Sequence, residues 1–155
     1  MNAGKIFEQE IKASVPDNTF FYRFKDSTAS WGSEKTRFAI HNICDCMLFD
    51  GQLLYLLELK SHKGKSIPFS CIRQTQLDEL SKAAMFDNVA TGFMFNFRDV
   101  GRTFYVNADI VRIFVLASER KSISIEVCVE NGVEIKGTKK RTRYSWNIEQ
   151  FIKPF

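Results

Sequence analysis

Residues 38–60 read FAIHNICDCMLFDGQLLYLLELK, and the reading of this run decides the fold. It divides at Asp50-Gly51 into two apolar segments, 38–49 and 53–60. An Asp-Gly pair between apolar runs of this length is a strong hairpin signal, so both segments are predicted as strands folded back on each other. Each carries an acid in apolar company: Asp45 among Ile43, Cys44, Cys46 and Met47, and Glu58 between Leu57 and Leu59. Strand side chains alternate, so Glu58 and Lys60 share one face while Leu57 and Leu59 take the other. The hairpin then brings two carboxylates and one ammonium to one end of a sheet.

Outward from this hairpin the chain reads as a mixed α/β plan. Phe7 and Ile11 set a helix over 4–14 that Pro16 ends, and TFFYRF at 19–24 reads as a strand. Residues 25–37 are polar and turn-rich, hence a loop. After the hairpin, a helix is expected from about residue 70 to 86, with Ile72, Leu77, Leu80 and Ala84 as its apolar stripe. Strands are expected at 89–97 and 102–106, and residues 108–116 are ambiguous. Residues 122–136 alternate around Asn131-Gly132 and read as two further strands, and Asn147 is placed to cap a last short helix. This order implies a central sheet flanked by helices.

The chain has 155 residues, of which 45% are hydrophobic and 26% charged, with 15 Phe, so a single domain over 1–155 with one well-filled core is expected. No apolar run approaches the ~18 residues of a membrane span, and the N-terminus lacks a signal-like stretch, so a soluble cytoplasmic protein with no membrane partner is expected. Four Cys without a C-x-x-C pair read as free thiols. Cys44 and Cys46 are expected on one strand face opposite Asp45, as core residues, and with His41 and His62 they fit no common zinc spacing. No Gly-rich phosphate loop is present, which argues against a nucleotide cofactor. The net charge of +4 is local: Lys136, Lys139, Lys140, Arg141 and Arg143 fall within eight residues with no acid among them. That is either a solvated loop or the footprint of a polyanion.

Asp45, Glu58 and Lys60 suit phosphodiester hydrolysis. Carboxylate oxygens hold Mg²⁺ or Mn²⁺, which activates water and offsets charge on the phosphorus oxygens. A lysine beside them orients the water or stabilises the transition state as a point charge. The structural alternative is a buried ion pair between Lys60 and either acid. Asp45 with Glu58-Leu59-Lys60 resembles the PD-(D/E)xK nuclease motif, and its surroundings resemble the RecU-type Holliday-junction resolvases of Gram-positive bacteria and their phages. The pieces are the twelve-residue gap, Ser66-Ile67-Pro68-Phe69, Thr75-Gln76-Leu77-Asp78-Glu79-Leu80 and Gly4-Lys5-Ile6-Phe7-Glu8.

The resemblance implies a restriction-endonuclease-like fold and a Mg²⁺-dependent endonuclease that, as a homodimer, cuts four-way DNA junctions. It implies Glu8 as a further metal-site acid, acting through water, in preference to Glu10, which looks equally exposed. It also implies Gln76 as a residue that positions the attacking water. Independently, Gln76 lies four residues from both Ile72 and Leu80, on a helix face that should be apolar, and so needs a hydrogen-bond partner. The family's long stalk has no counterpart here, because the loop at 25–37, with Trp31 near its middle, is short. This favours a compact phage-encoded member in a bacterial cell and makes Trp31 a candidate for stacking on a base. Lys63 and Lys65, expected in a flexible loop after the catalytic strand, Arg73, and the set Lys139, Lys140, Arg141 and Arg143 are the candidate phosphate contacts. A nuclease for linear duplexes or flaps, and a non-catalytic DNA-binding module, stay open as alternatives.

Overall fold

A computed structural model describes residues 1–25 and 41–152. Its centre is a six-stranded mixed sheet. The strands are β1 (Phe20–Arg23), β2 (Cys46–Phe49), β3 (Leu54–His62), β5 (Val89–Phe97), β6 (Arg102–Asn107) and β8 (Val133–Ile135), and they lie side by side in that order. β3 and β5 run parallel and the other neighbours antiparallel. Two small two-stranded sheets accompany it, β4 (Ser66–Pro68) with β7 (Ser122–Ser124), and β9 (Gly137–Lys140) with β10 (Arg143–Trp146). The helices are α1 (Ala3–Ser14), α2 (Gln74–Ala83), α3 (Ala108–Ala117), α4 (Ile125–Asn131) and α5 (Ile148–Ile152).

Local chemistry accounts for most of these elements. The Asn2 side chain accepts from the Lys5 N–H at 2.9 Å and starts α1, and Val15, before Pro16, is extended. Between β2 and β3, Asp50 Oδ1 accepts from the N–H groups of both Gln52 and Leu53 at 2.8 Å, which turns the chain and pairs Phe49 with Leu54. The Asn147 side chain accepts from the Gln150 N–H at 3.1 Å and caps α5 as expected.

Two cores lie on the two faces of the sheet. One gathers Leu56, Phe93, Phe95, Phe97, Leu77, Leu80 and Val111 under α2, α3 and α4. The other gathers Phe7, Ile11, Leu57, Met94, Trp146 and Ile148 under α1, β10 and α5. β3 and β5 are the middle pair of strands, and Phe93 to Phe97 of β5 are buried on both faces. β5 comes close to its neighbour β6 at Gly92, where a Cβ would stand 2.4 Å from Tyr105 Cε2 and 2.6 Å from the Val106 carbonyl oxygen. Because backbone cannot yield as a side-chain tip does, Gly92→Ala is expected to cost about 1–3 kcal/mol, read as a lower urea midpoint with unchanged slope.

The structure corrects several expectations. Residues 125–131 are helix: the Ser124 hydroxyl accepts from the Val127 N–H at 3.3 Å, and burying Ile125, Val127 and Cys128 against the first core outweighs their β-type alternation. The ambiguous segment 108–116 is α3, capped by Asn107. The long helix expected from residue 70 to 86 is a 3₁₀ turn (Phe69–Cys71) followed by the shorter α2. Within the strand expected over 38–49, only Cys46–Phe49 is strand among the described residues. The chain bends before it, so Cys44 and Cys46 fall in different cores rather than on one face. The basic segment 137–143 is a hairpin rather than a loop. Among the described residues no helix is long and apolar enough to cross a membrane.

Candidate active site

The antiparallel pairing of Cys46 with Leu57 places Asp45 beside Glu58, and the Asp45 N–H donates to the Leu57 carbonyl at 3.1 Å. Asp45 Oδ2 accepts from the Leu59 N–H at 2.8 Å. Glu58 and Lys60 follow Leu56 at even spacing along β3 and so face α2, as alternation requires. Glu58 is 3% exposed, and its Oε1 receives both Lys60 Nζ at 2.9 Å and Gln76 Nε2 at 2.7 Å. The helix stripe thus carries its one polar residue to a carboxylate, which is the partner Gln76 required. Gln76 Oε1 in turn accepts from the Arg73 N–H at 3.4 Å and closes the first turn of α2.

These residues line one polar cleft of about 640 Å³, together with Glu8 from α1, Arg73 and Thr75 at the start of α2, and Asn42. Glu8 is held by Arg23 of β1 at 2.6 Å. Burial, and after it the charge of Glu58, push the Asp45 carboxyl up to about 6, against the opposing pull of the Leu59 N–H and of Lys60 and Arg23. Burial likewise pushes the Cys44 thiol up to about 12, so this cleft-lining residue stays a thiol at neutral pH. Glu58 Oε2 is buried and has no hydrogen-bond partner among the described residues. A buried carboxylate oxygen without a donor is costly, and it lies in a cleft where a second acid resists ionisation.

Over 165 aligned residues the chain is 32% identical to the SPbeta prophage-derived uncharacterized protein YotM of Bacillus subtilis (strain 168), which covers 96% of this chain and 84% of that protein. The chain belongs to the YotM family. No family model matches it. Among solved structures its fold is similar to that of Hjc, a Holliday junction resolvase of the archaeal hyperthermophile Archaeoglobus fulgidus, with a TM-score of 0.51 and 14% identity over 84% of this chain and 90% of that one. The mixed sheet flanked by helices is the restriction-endonuclease-like fold that the sequence predicts.

In this YotM-family chain the cleft unites Asp45, Glu58, Lys60, Gln76, Glu8 and Arg73. Other expected contacts lie outside its lining. Lys63 and Lys65 sit in the short connection between β3 and β4, where the Gly64 N–H donates to Asp99 Oδ2 at 2.7 Å. Lys139, Lys140, Arg141 and Arg143 belong to the β9–β10 hairpin, and Trp31 lies outside the described residues. Glu10 is not an exposed rival of Glu8. It is 3% exposed and accepts from both terminal nitrogens of Arg98 at 2.9 Å, from the Tyr144 N–H at 3.0 Å and from the Trp146 indole at 3.2 Å. No local signal separates it from Glu8, because its partners stand 88 and more residues away.

Proposed function

We propose that this chain is a Mg²⁺-dependent DNA endonuclease that resolves four-way junctions. The observation that carries the reading is the unpartnered, buried Glu58 Oε2 beside Asp45 in a cleft shared with Lys60. The ion pair with Lys60 uses Glu58 Oε1 and leaves Oε2 without a donor among the described residues. Among the described residues no three acids, thiols or imidazoles form a ready-made metal cage. The two neighbouring carboxylates, Asp45 and Glu58, suit Mg²⁺, which keeps several waters and commonly takes one or two carboxylates plus substrate phosphates. Asp45 and Glu58 would hold the ion, with Glu8 at the cleft wall acting through water, and the ion would activate water and offset charge on the scissile phosphate.

The chain's own groups do the rest. Lys60 presents an ammonium where charge builds up in the transition state. Gln76 donates to Glu58 and fixes the direction of its carboxylate, which is consistent with the water-positioning role that the resemblance implies. Arg73 supplies a cation at the cleft wall, and Lys63 and Lys65 would meet flanking phosphates. The junction preference rests on the RecU-type resemblance of the motifs and on the Hjc-like fold. The same resemblance supports a phage-encoded protein, as does the prophage-derived relative. Two incisions in opposed strands call for two such sites, hence a homodimer.

The deciding experiment compares a synthetic four-way junction, a flap and a linear duplex, each with and without Mg²⁺. Cleavage should need the metal and be fastest on the junction. Faster turnover of linear DNA would assign the chain to another branch of nucleases, and binding with no product under any metal would make it a non-catalytic module.

Metal binding should also be visible in thermal melts. The folded-state value of Asp45 lies above its ordinary value of 3.8, so the folded protein takes up a proton as pH falls through about 6, and its ionisation above that pH weakens the fold. Mg²⁺ needs the ionised form. It should raise Tm at neutral and alkaline pH, and the increment should fade as pH drops through about 6 and be lost in Asp45→Asn. An increment that is independent of pH and present in the variant would place the metal elsewhere.

A further inference from the structure

The β9–β10 hairpin carries the densest positive charge in the chain and belongs to neither the central sheet nor the cleft. Isolated two-stranded hairpins are marginal in water, so something must hold this one. Trp146 is 2% exposed and meets the Phe7 ring edge-on at 6.1 Å. At Gly137 a Cβ would stand 2.4 Å from Trp146 Cζ3, so β9 lies flat against the indole. Glu10 of α1 accepts from the Tyr144 N–H and the Trp146 indole while binding Arg98, and the Ser14 hydroxyl accepts from the Trp146 N–H at 2.9 Å. The hairpin is therefore pinned by one face to the helix that carries Glu8 into the cleft.

Its other face follows from the register. Tyr144 and Trp146 point to the body, so the pairs out of phase with them, Ser145 opposite Thr138 and Lys140 opposite Arg143, point away from it. Like charges directly across a strand pair repel. The cations flanking the hairpin are matched: Arg98 with Glu10, and Arg102 and Lys136 with Glu134. Lys140, Arg143 and Arg141 have no ion pair among the described residues. Arg141 also opens the two-residue turn at φ +53°, in the left-handed region where Gly or Asn would be the relaxed choice. The uncompensated repulsion across the strands would be relieved by bound anions, and the left-handed Arg141 holds its guanidinium at the tip beside them.

We propose that this hairpin is an arm that grips the phosphate backbone of duplex DNA outside the cleft, with Lys140, Arg143 and Arg141 as its contacts. The proposal deepens the nuclease reading of the cleft and rests on it for the choice of DNA. Contacts of this kind position a duplex without reading its sequence, which suits the arms of a branched substrate.

The test is fluorescence anisotropy of the full-length protein on a labelled duplex of arbitrary sequence, over a range of KCl and without divalent metal. Lys140→Ala with Arg143→Ala should weaken binding about tenfold at moderate salt and flatten the slope of log K against log[salt] by about 2. Arg141→Gly should weaken binding while Tm stays level or rises, a combination that partial unfolding cannot produce. Parent-like affinity and salt slope in these variants would overturn the arm. So would polyglutamate that displaces the duplex at equal charge, because the hairpin would then suit an acidic protein surface. Because metal is absent, a failure here is separable from a failure to cleave, which bears on the cleft alone.

Discussion

Asp45→Asn and Lys60→Ala should each reduce Mg²⁺-dependent cleavage of a four-way junction by about 10²–10³-fold or more. The two variants should then part company in stability. Asparagine keeps an oxygen for the Leu59 N–H but removes the charge that burial and Glu58 oppose, so Asp45→Asn should melt at or above the parent temperature at neutral pH. Lys60→Ala takes away a cation 2.9 Å from a carboxylate that is 3% exposed and leaves Gln76 as its one donor among the described residues, so it should melt lower. A more stable protein that no longer cuts would show that the pair of acids is kept for its chemistry at the expense of the fold. Cleavage kinetics on the junction and thermal melts of the same preparations check this. Parent-like cleavage by either variant would end the mechanism.

Glu10→Ala should be the most damaging single change at a charged residue away from the cleft, costing about 3 kcal/mol. It orphans a guanidinium that is 18% exposed, a backbone N–H and a buried indole at once. In a chain of this size that corresponds to a fall in Tm of roughly 6–12 °C. Glu10→Gln, which keeps an acceptor but loses the charge, should fall between. Burial alone would raise the Glu10 pKa, but Arg98, the Tyr144 N–H and the Trp146 indole together hold it below its ordinary 4.5. Its stabilisation is therefore complete above about pH 4.5 and is lost as pH falls through the lower folded-state value. Acid melts of the parent and of Glu10→Gln should converge in that range. If Glu10→Ala melts with the parent, the network is ornamental and the hairpin is held by Trp146 alone.

The hairpin across Asp50-Gly51, the strands at 89–97 and 102–106, and the first and last helices were legible because each is set by local chemistry: a turn pair, a two-residue period, a capping asparagine. So was the core of the cleft. Alternation puts Glu58 and Lys60 on one face, the turn sets Asp45 beside them, and the polar break in the α2 stripe marks Gln76. Residues 122–136 were not legible, because their alternation suits a strand and only packing of Ile125, Val127 and Cys128 against the first core makes them a helix. Nor was the hairpin at 137–146, whose charges read as a loop until Trp146 and Tyr144 find α1.

By itself, then, the sequence determined which side chains meet across neighbouring strands, because period and turn geometry act over a few residues. Only the tertiary structure decided that Glu8 borders the cleft while Glu10, two residues on, is buried in an ion pair, and that one oxygen of Glu58 has no donor among the described residues. Those outcomes depend on partners from Arg23 to Trp146, and burial and hydrogen-bond satisfaction are properties of the assembled chain rather than of any segment of it.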